Sequence, residues 1–261
     1  MRHSIIAIGA FVMAALLWGC AEPEMLFHAT PTAPNTVWYS GREYVSETKD
    51  SITVSVAFEN EINRTMTFYA VVGNLGSDTV LVAPEKIYYA GHVNMIGPVT
   101  DYETMRVTYD TVNRTDIVHA LDPESELQAL DRQQAQASAA YANQTGLNSA
   151  AAILNIVGAV STIGQNKTRE ERHQEERNRR EVSRSQTENN ENYSIQSTSI
   201  AEQRAYWANA MLRKTTLFPG SAIGGNLRIP VDKDAGSITL YIPIGATTFS
   251  FDFNQKPLLT R

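Results

Sequence analysis

Apolar and polar residues alternate with period two through much of the stretch from residue 37 to residue 121. The run "ITVSVAFE" sets Ile52, Val54, Val56 and Phe58 on one side, with Thr53, Ser55 and Ala57 on the other. "MTFYAVV" repeats the pattern with Met66, Phe68, Ala70 and Val72. "VLVAP" and "KIYYAG" follow the turn signal Asn74-Leu75-Gly76-Ser77-Asp78, and "TMRVTYDTV" aligns Met105, Val107 and Tyr109. Strict alternation predicts half-buried antiparallel strands. The pattern stops near Asp122 and returns after Lys214. There "TTLFPGSAIGGNLRIPV" holds a Pro219-Gly220 turn and the flexible pair Gly224-Gly225, "SITLYIPI" alternates Ile238, Leu240 and Ile242, and "TTFSFDF" alternates Phe249, Phe251 and Phe253. The three phenylalanines read as core. Either block alone would expose an apolar sheet face. Together, 37–121 and 214–261 predict one immunoglobulin-like antiparallel β-sandwich interrupted by a long helical insertion, a mostly β chain with an α insert.

The insertion, 122–213, has a different texture. Asp122-Pro123-Glu124 is a helix start, because Asp caps free N–H groups, Pro fits the first helical position and an acidic first turn suits the helix dipole. The sequence stays rich in Gln, Ala and Leu through Ala142. Gly146 to Gly164, "GLNSAAAILNIVGAVSTIG", carries no charge. "KTREERHQEERNRREVSR" then alternates sign, with Glu175 and Arg179, and Glu176 and Arg180, at i,i+4. Its lack of an apolar stripe predicts a helix that projects into solvent. "SQTENNENYS" reads as a mobile polar break before an amphipathic piece carrying Ile200, Trp207, Met211 and Leu212.

Three roles are open to the uncharged segment: a buried helix, a surface for a partner or a second copy, or insertion into a membrane. Gly146, Gly158 and Gly164 permit close approach, while Ile153, Leu154, Val157, Val160 and Ile163 would supply apolar contact. Asn148, Asn155, Ser149 and Ser161 weigh against insertion, since polar groups are costly in hydrocarbon.

At the start of the chain, Arg2 and His3 precede an uncharged apolar run from Ile5 to Leu17. That run is shorter than the roughly 20 residues that span a bilayer and has the form of a signal peptide, residues 1–19. Leu17-Trp18-Gly19-Cys20 resembles the lipobox of bacterial lipoproteins: a branched apolar residue, a variable one (here Trp), a small one, then cysteine. The resemblance covers the first 20 residues only. It implies cleavage before Cys20, acyl chains on its thiol and new amino group, and attachment to the membrane of the cell envelope. Ala21, rather than Asp, implies the outer membrane. Ordinary secretion is the other reading, with Gly19 and Ala21 as the small residues before a cut at Glu22. Cys20 is the one cysteine of the chain, so no internal disulfide can form and the thiol reads as an attachment point. Residues 20–36, with Pro23, Pro31 and Pro34, read as a flexible tether reaching at most roughly 50 Å.

Charge narrows the partners. With 28 acidic and 22 basic residues, the chain is ill suited to neutralising phosphates, and no nucleic-acid partner is expected. The histidines, His3, His28, His92, His119 and His173, show no metal-ligand spacing, although His92 and His119 could meet across a sheet. Neither H-E-x-x-H nor a Gly-rich phosphate loop occurs, so no metal or cofactor is expected. Ser46-Glu47-Thr48-Lys49 matches S-x-x-K without its companion motifs. Asp232-Lys233-Asp234-Ala235-Gly236 has too few carboxylates for a calcium loop and reads as a hairpin turn. Asp101, Glu103, Asp110 and Asp116 are the candidate carboxylates for glycoside chemistry, which needs two such groups about 5–10 Å apart.

These features predict a non-enzymatic, lipid-anchored protein of the bacterial envelope, in which the sandwich presents its helical insert to a protein partner or for structural support. A membrane-active or self-assembling factor using 146–164 is the alternative, and an envelope-glycan enzyme the third possibility.

Overall fold

The computed structural model describes residues 25–101, 103, 105–161 and 168–259. Two antiparallel sheets form a sandwich, and two helices interrupt it. The seven-stranded sheet contains β1 (Met25–Pro31), β6 (Val80–Val82), β7 (Tyr88–Asp101), β8 (Arg106–His119), β9 (Thr215–Leu217), β11 (Ser237–Ile244) and β12 (Thr247–Leu259). The five-stranded sheet contains β2 (Thr36–Tyr39), β3 (Arg42–Lys49), β4 (Ile52–Ile62), β5 (Thr65–Asn74) and β10 (Ala222–Pro230). Between β8 and β9 lie α1 (Pro123–Ser161) and α2 (Arg169–Asn209).

The alternation that marks the strands also builds the core. Val54, Val56, Met66, Phe68, Ala70 and Val72 are all fully buried, and so are Leu240, Ile242, Phe249 and Phe253 on the opposing sheet. Phe68 meets Phe253 edge-to-face across the core, ring centroids 5.2 Å apart. The two β blocks complete each other: β10 pairs with β5 in one sheet, and β11 pairs with β7 in the other. Neither block can bury its apolar face without strands from across the insertion. The result is the expected sandwich with a helical insert, larger than a seven- or nine-stranded immunoglobulin domain.

Four local expectations change. Residues 25–31 of the anticipated tether form β1, an edge strand paired with β12 from Met25↔Leu259 to Pro31↔Phe253. Only Phe27 and Ala29 are buried there, too short an apolar pattern to stand out among prolines. Gly224 and Gly225 are not a flexible pair but the middle of β10. The Asp232–Gly236 segment is not a hairpin turn, because it carries the chain from β10 in one sheet to β11 in the other.

The fourth change concerns β7 and β8. β7 pairs with β11 only from Tyr88 to His92, whereas its ladder with β8 runs on to Asp101↔Arg106. Residues 94–101 and 106–113 therefore form a two-stranded arm extending past the end of β11. Met105, read from sequence as one of an inward-facing series, sits at the arm's turn with φ of 52° and 76% exposure.

Candidate interaction surface

The helical hairpin begins as its sequence predicts. Both carboxylate oxygens of Asp122 accept backbone N–H groups, from Glu124 at 3.1 Å and Ser125 at 3.3 Å. α1 runs without a break through Gly146. α2 opens with a capping box: Thr168 Oγ1 accepts from the Glu171 N–H, and the Glu171 carboxylate accepts from the Thr168 N–H. That T-x-x-E signal was legible in "KTREE". The supposed break at "SQTENNENYS" is helical. It contains neither Gly nor Pro, and Tyr193 within it stacks on Tyr141 at 4.4 Å.

At its root the hairpin is fused to the sandwich. Leu212 N–H donates to the Asn226 carbonyl and Asn226 N–H to the Ala210 carbonyl, 2.9 and 2.8 Å. This close approach explains Gly225: a Cβ there would lie 2.4 Å from the Leu212 nitrogen and 2.6 Å from its Cα. Leu130, Ala137, Ile200, Trp207 and Met211 form a second apolar cluster between the helices, flanked by Leu121, Leu127 and Tyr193. The Arg228 guanidinium stacks over Trp207 at 5.7 Å. Arg213 forks onto Glu124 with 2.6 and 2.7 Å contacts, tying the end of the insertion to its beginning.

The seam between the helices becomes polar away from the root. Gln134 reaches Ser197 at 3.3 Å, Ser138 reaches Tyr193 at 3.2 Å, and Tyr141 donates to Asn190 at 2.8 Å. On α2 a half-buried stripe continues outward through Asn189, Ser185, Val182, Asn178 and Glu175, at steps of three and four. That is the spacing of a helix facing a partner helix along its length. On α1 the inward series Leu127, Leu130, Gln134, Ala137 and Tyr141 has the same spacing. Continued along the sequence, the same steps reach positions 144, 148, 151 and 155, which are Gln, Asn, Ala and Asn. Leu147 and Ile153 fall off that series and are 72% and 59% exposed.

Of the remaining predicted contact residues, Gly146 lies exposed in α1. Leu154, Val157, Gly158 and Val160 belong to the backbone of α1, while Cys20, Ile163 and Gly164 lie outside the described residues. Among the described residues no helix is long and apolar enough to cross a membrane.

The candidate chemistry is dispersed. His119 pairs with Tyr88 and His92 with Thr115, four rungs apart on one ladder, about 13 Å. His92 Nε2 lies 3.2 Å from Thr239 Oγ1, which donates to Asp252 Oδ1 at 2.6 Å. The hydroxyl proton is thus committed to the carboxylate, so the imidazole donates to this threonine rather than acting as its base. Ser46 and Lys49 belong to β3, where a spacing of three puts them on opposite faces. Asp101, Asp110 and Asp116 are strung along the β7–β8 ladder opposite Arg106, Gly97 and Gly91, and Asp116 is paired with Arg114 at 2.6 Å. Glu103 lies exposed in the turn of the arm. Among the described residues no group of three or more His, Cys, Asp or Glu could hold a metal.

The Asp232–Gly236 crossover is held from within. Tyr89 Oη donates to the Pro230 carbonyl at 2.8 Å and accepts from the Asp232 N–H at 2.7 Å. Gln255 donates to the Asp232 and Ala235 carbonyls. Burial pushes the Tyr89 hydroxyl well above its ordinary pKa, which keeps it a neutral structural donor.

Compared with known families, with curated proteins and with solved structures, the chain matches none of them.

Proposed function

We propose that this chain is a non-enzymatic, lipid-anchored protein of the bacterial cell envelope, held at the outer membrane by acyl chains on Cys20. Its sandwich is a base from which the helical hairpin is held out as a docking surface for an envelope protein. The lipobox-like Leu17-Trp18-Gly19-Cys20 supports the location. The observation that carries the docking role is the exposure of Leu147 and Ile153 on α1, off the face that follows the stripe of α2. A helix of a solitary protein gains its stability by burying its apolar side, and here, among the described residues beyond the root, the α2 stripe is mostly polar while Leu147 and Ile153 stand outside the seam.

A photo-reactive residue at Ile153, compared with one at exposed Gln136 in the proximal half, tests this in cells. The reading predicts a single adduct of defined mass from position 153 and none from 136. An adduct of twice the chain's own mass would make the partner a second copy, the self-assembling alternative. No adduct at 153, or equal adducts at both positions, rejects the docking surface.

A further inference from the structure

We infer that the β7–β8 arm rests against the lipid surface into which the Cys20 acyl chains insert, giving the protein a second contact with the membrane. This rests on the lipid-anchor reading above. Ser237 pairs with His92 on one side and with Asn254 on the other, so the three residues share a level in the sheet. From that level β12 runs on to Leu259, opposite Met25, a rise of about 17 Å at the usual strand spacing. β7 runs on to Asp101 in the same direction, a rise of about 30 Å. The arm thus leaves the same end of the sandwich as the N-terminal strand and passes Met25 by about 13 Å.

The chain length before β1 closes the argument. Only four residues lie between Cys20 and Met25, so over five residue-to-residue steps the attachment point lies within about 17 Å of it. With β1 pinned to β12, no long tether can hold the sandwich away from the bilayer. The turn of the arm and the lipidated residue therefore reach comparable heights. The composition of the arm suits a headgroup-level contact better than a crossing. Pro98, within the free part of β7, removes a main-chain donor where a membrane-crossing sheet needs every strand closed into a barrel. Asp101, Glu103 and Arg106 leave the tip slightly acidic, which favours a zwitterionic over an anionic surface. Exposed Met105 stands at the turn as the apolar contact.

The test uses the acylated full-length chain on phosphatidylethanolamine–phosphatidylcholine vesicles. Acylation occupies the Cys20 thiol, so Met105→Cys, Ala246→Cys and Leu147→Cys can each take a single fluorophore. Ala246 lies at the turn between β11 and β12, the opposite end of the sandwich, and Leu147 lies on the helical hairpin. With a quencher on the lipid headgroups, the probe at 105 is expected to be quenched at least three-fold more than the probe at 246. Equal quenching at 105 and 246 on protein of acylated mass overturns the arm contact and leaves the anchor intact. Stronger quenching at 147 than at 105 overturns it too, by assigning the lipid contact to the helices. An intact mass without acyl chains removes the anchor, and the placement of the arm with it.

Discussion

The two halves of the helical hairpin are built from similar lengths of chain and do different work. Near the sandwich, Leu130, Ile200, Trp207 and Met211 are buried, a glycine admits the backbone of Met211 and Leu212, just past α2, against β10, and Arg213 is clamped on Glu124. Farther out, the α2 stripe is polar at four of its five positions, Val182 being the exception, and the described large apolar side chains of α1, Leu147 and Ile153, face solvent. The root is stabilised by burial and by polar contacts across the seam as far as Tyr141 and Asn190, whereas α1 and α2 simply continue as helix through the described part of the distal half. A protein that needed the hairpin only for its own stability would have placed those apolar residues inward.

Mutations should expose this asymmetry, the largest effect coming from the root. Trp207→Ala removes the largest side chain of the second cluster and is expected to cost about 3–5 kcal/mol in urea unfolding. A loss below 1 kcal/mol would erase the distinction between root and tip. Gly225→Ala forces β10 and the Met211–Leu212 backbone apart and should cost about 1–3 kcal/mol, with Gly224→Ala, where the nearest neighbour is the Tyr69 hydroxyl, as the milder comparison.

Tyr89→Phe should cost about 1–3 kcal/mol, because the Asp232 N–H and Pro230 carbonyl lose their shared partner. It also carries a signature in pH. The folded pKa of Tyr89 is raised above the unfolded value of about 10. Its contribution is therefore complete below pH 10 and is lost as pH rises through the folded pKa. Wild type should keep its full advantage over Tyr89→Phe up to about pH 10 and lose it progressively above that, and a gap that stays constant from about pH 9 to 12 would show that the folded state does not raise the pKa of this hydroxyl. Glu124→Gln should cost less than about 1 kcal/mol, with the difference shrinking in high salt, since its pair with Arg213 is about one-third exposed. The smallest effect is expected from Leu147→Ser and Ile153→Ser, within about 0.5 kcal/mol of wild type, although Leu147→Ser should abolish the adduct from position 153.

The sandwich was legible because its strands carry long alternating runs whose buried faces, Phe68 to Val72 and Ile238 to Ile242, match the alternation residue for residue. The cap at Asp122 and the buried Trp207 and Ile200 were equally readable, each being a local signal that tertiary packing reinforced. β1 was hidden because an edge strand needs few buried residues. The arm was misread because alternation reports that a strand has two faces, not that a second sheet covers one of them. The glycine pair misled in a related way: Gly225 is required by the approach of Leu212, more than a dozen residues earlier in the chain, and no local pattern records that contact. The polar seam of the hairpin escaped for want of apolar residues at its heptad positions, although the three-and-four spacing of Asn, Ser and Glu was present in the sequence.

The central claim is that the distal half of the hairpin serves a partner and not the fold. Replacing residues 143–188 with a short Gly/Ser turn, which joins the facing positions 142 and 189, and measuring the melting temperature tests it most directly. The account predicts a single cooperative transition within about 3 °C of wild type, since 1 kcal/mol corresponds to about 2–4 °C in a domain of this size. A fall of about 8 °C or more, the loss expected from Trp207→Ala, would mean that the outer helices are part of what holds the protein together.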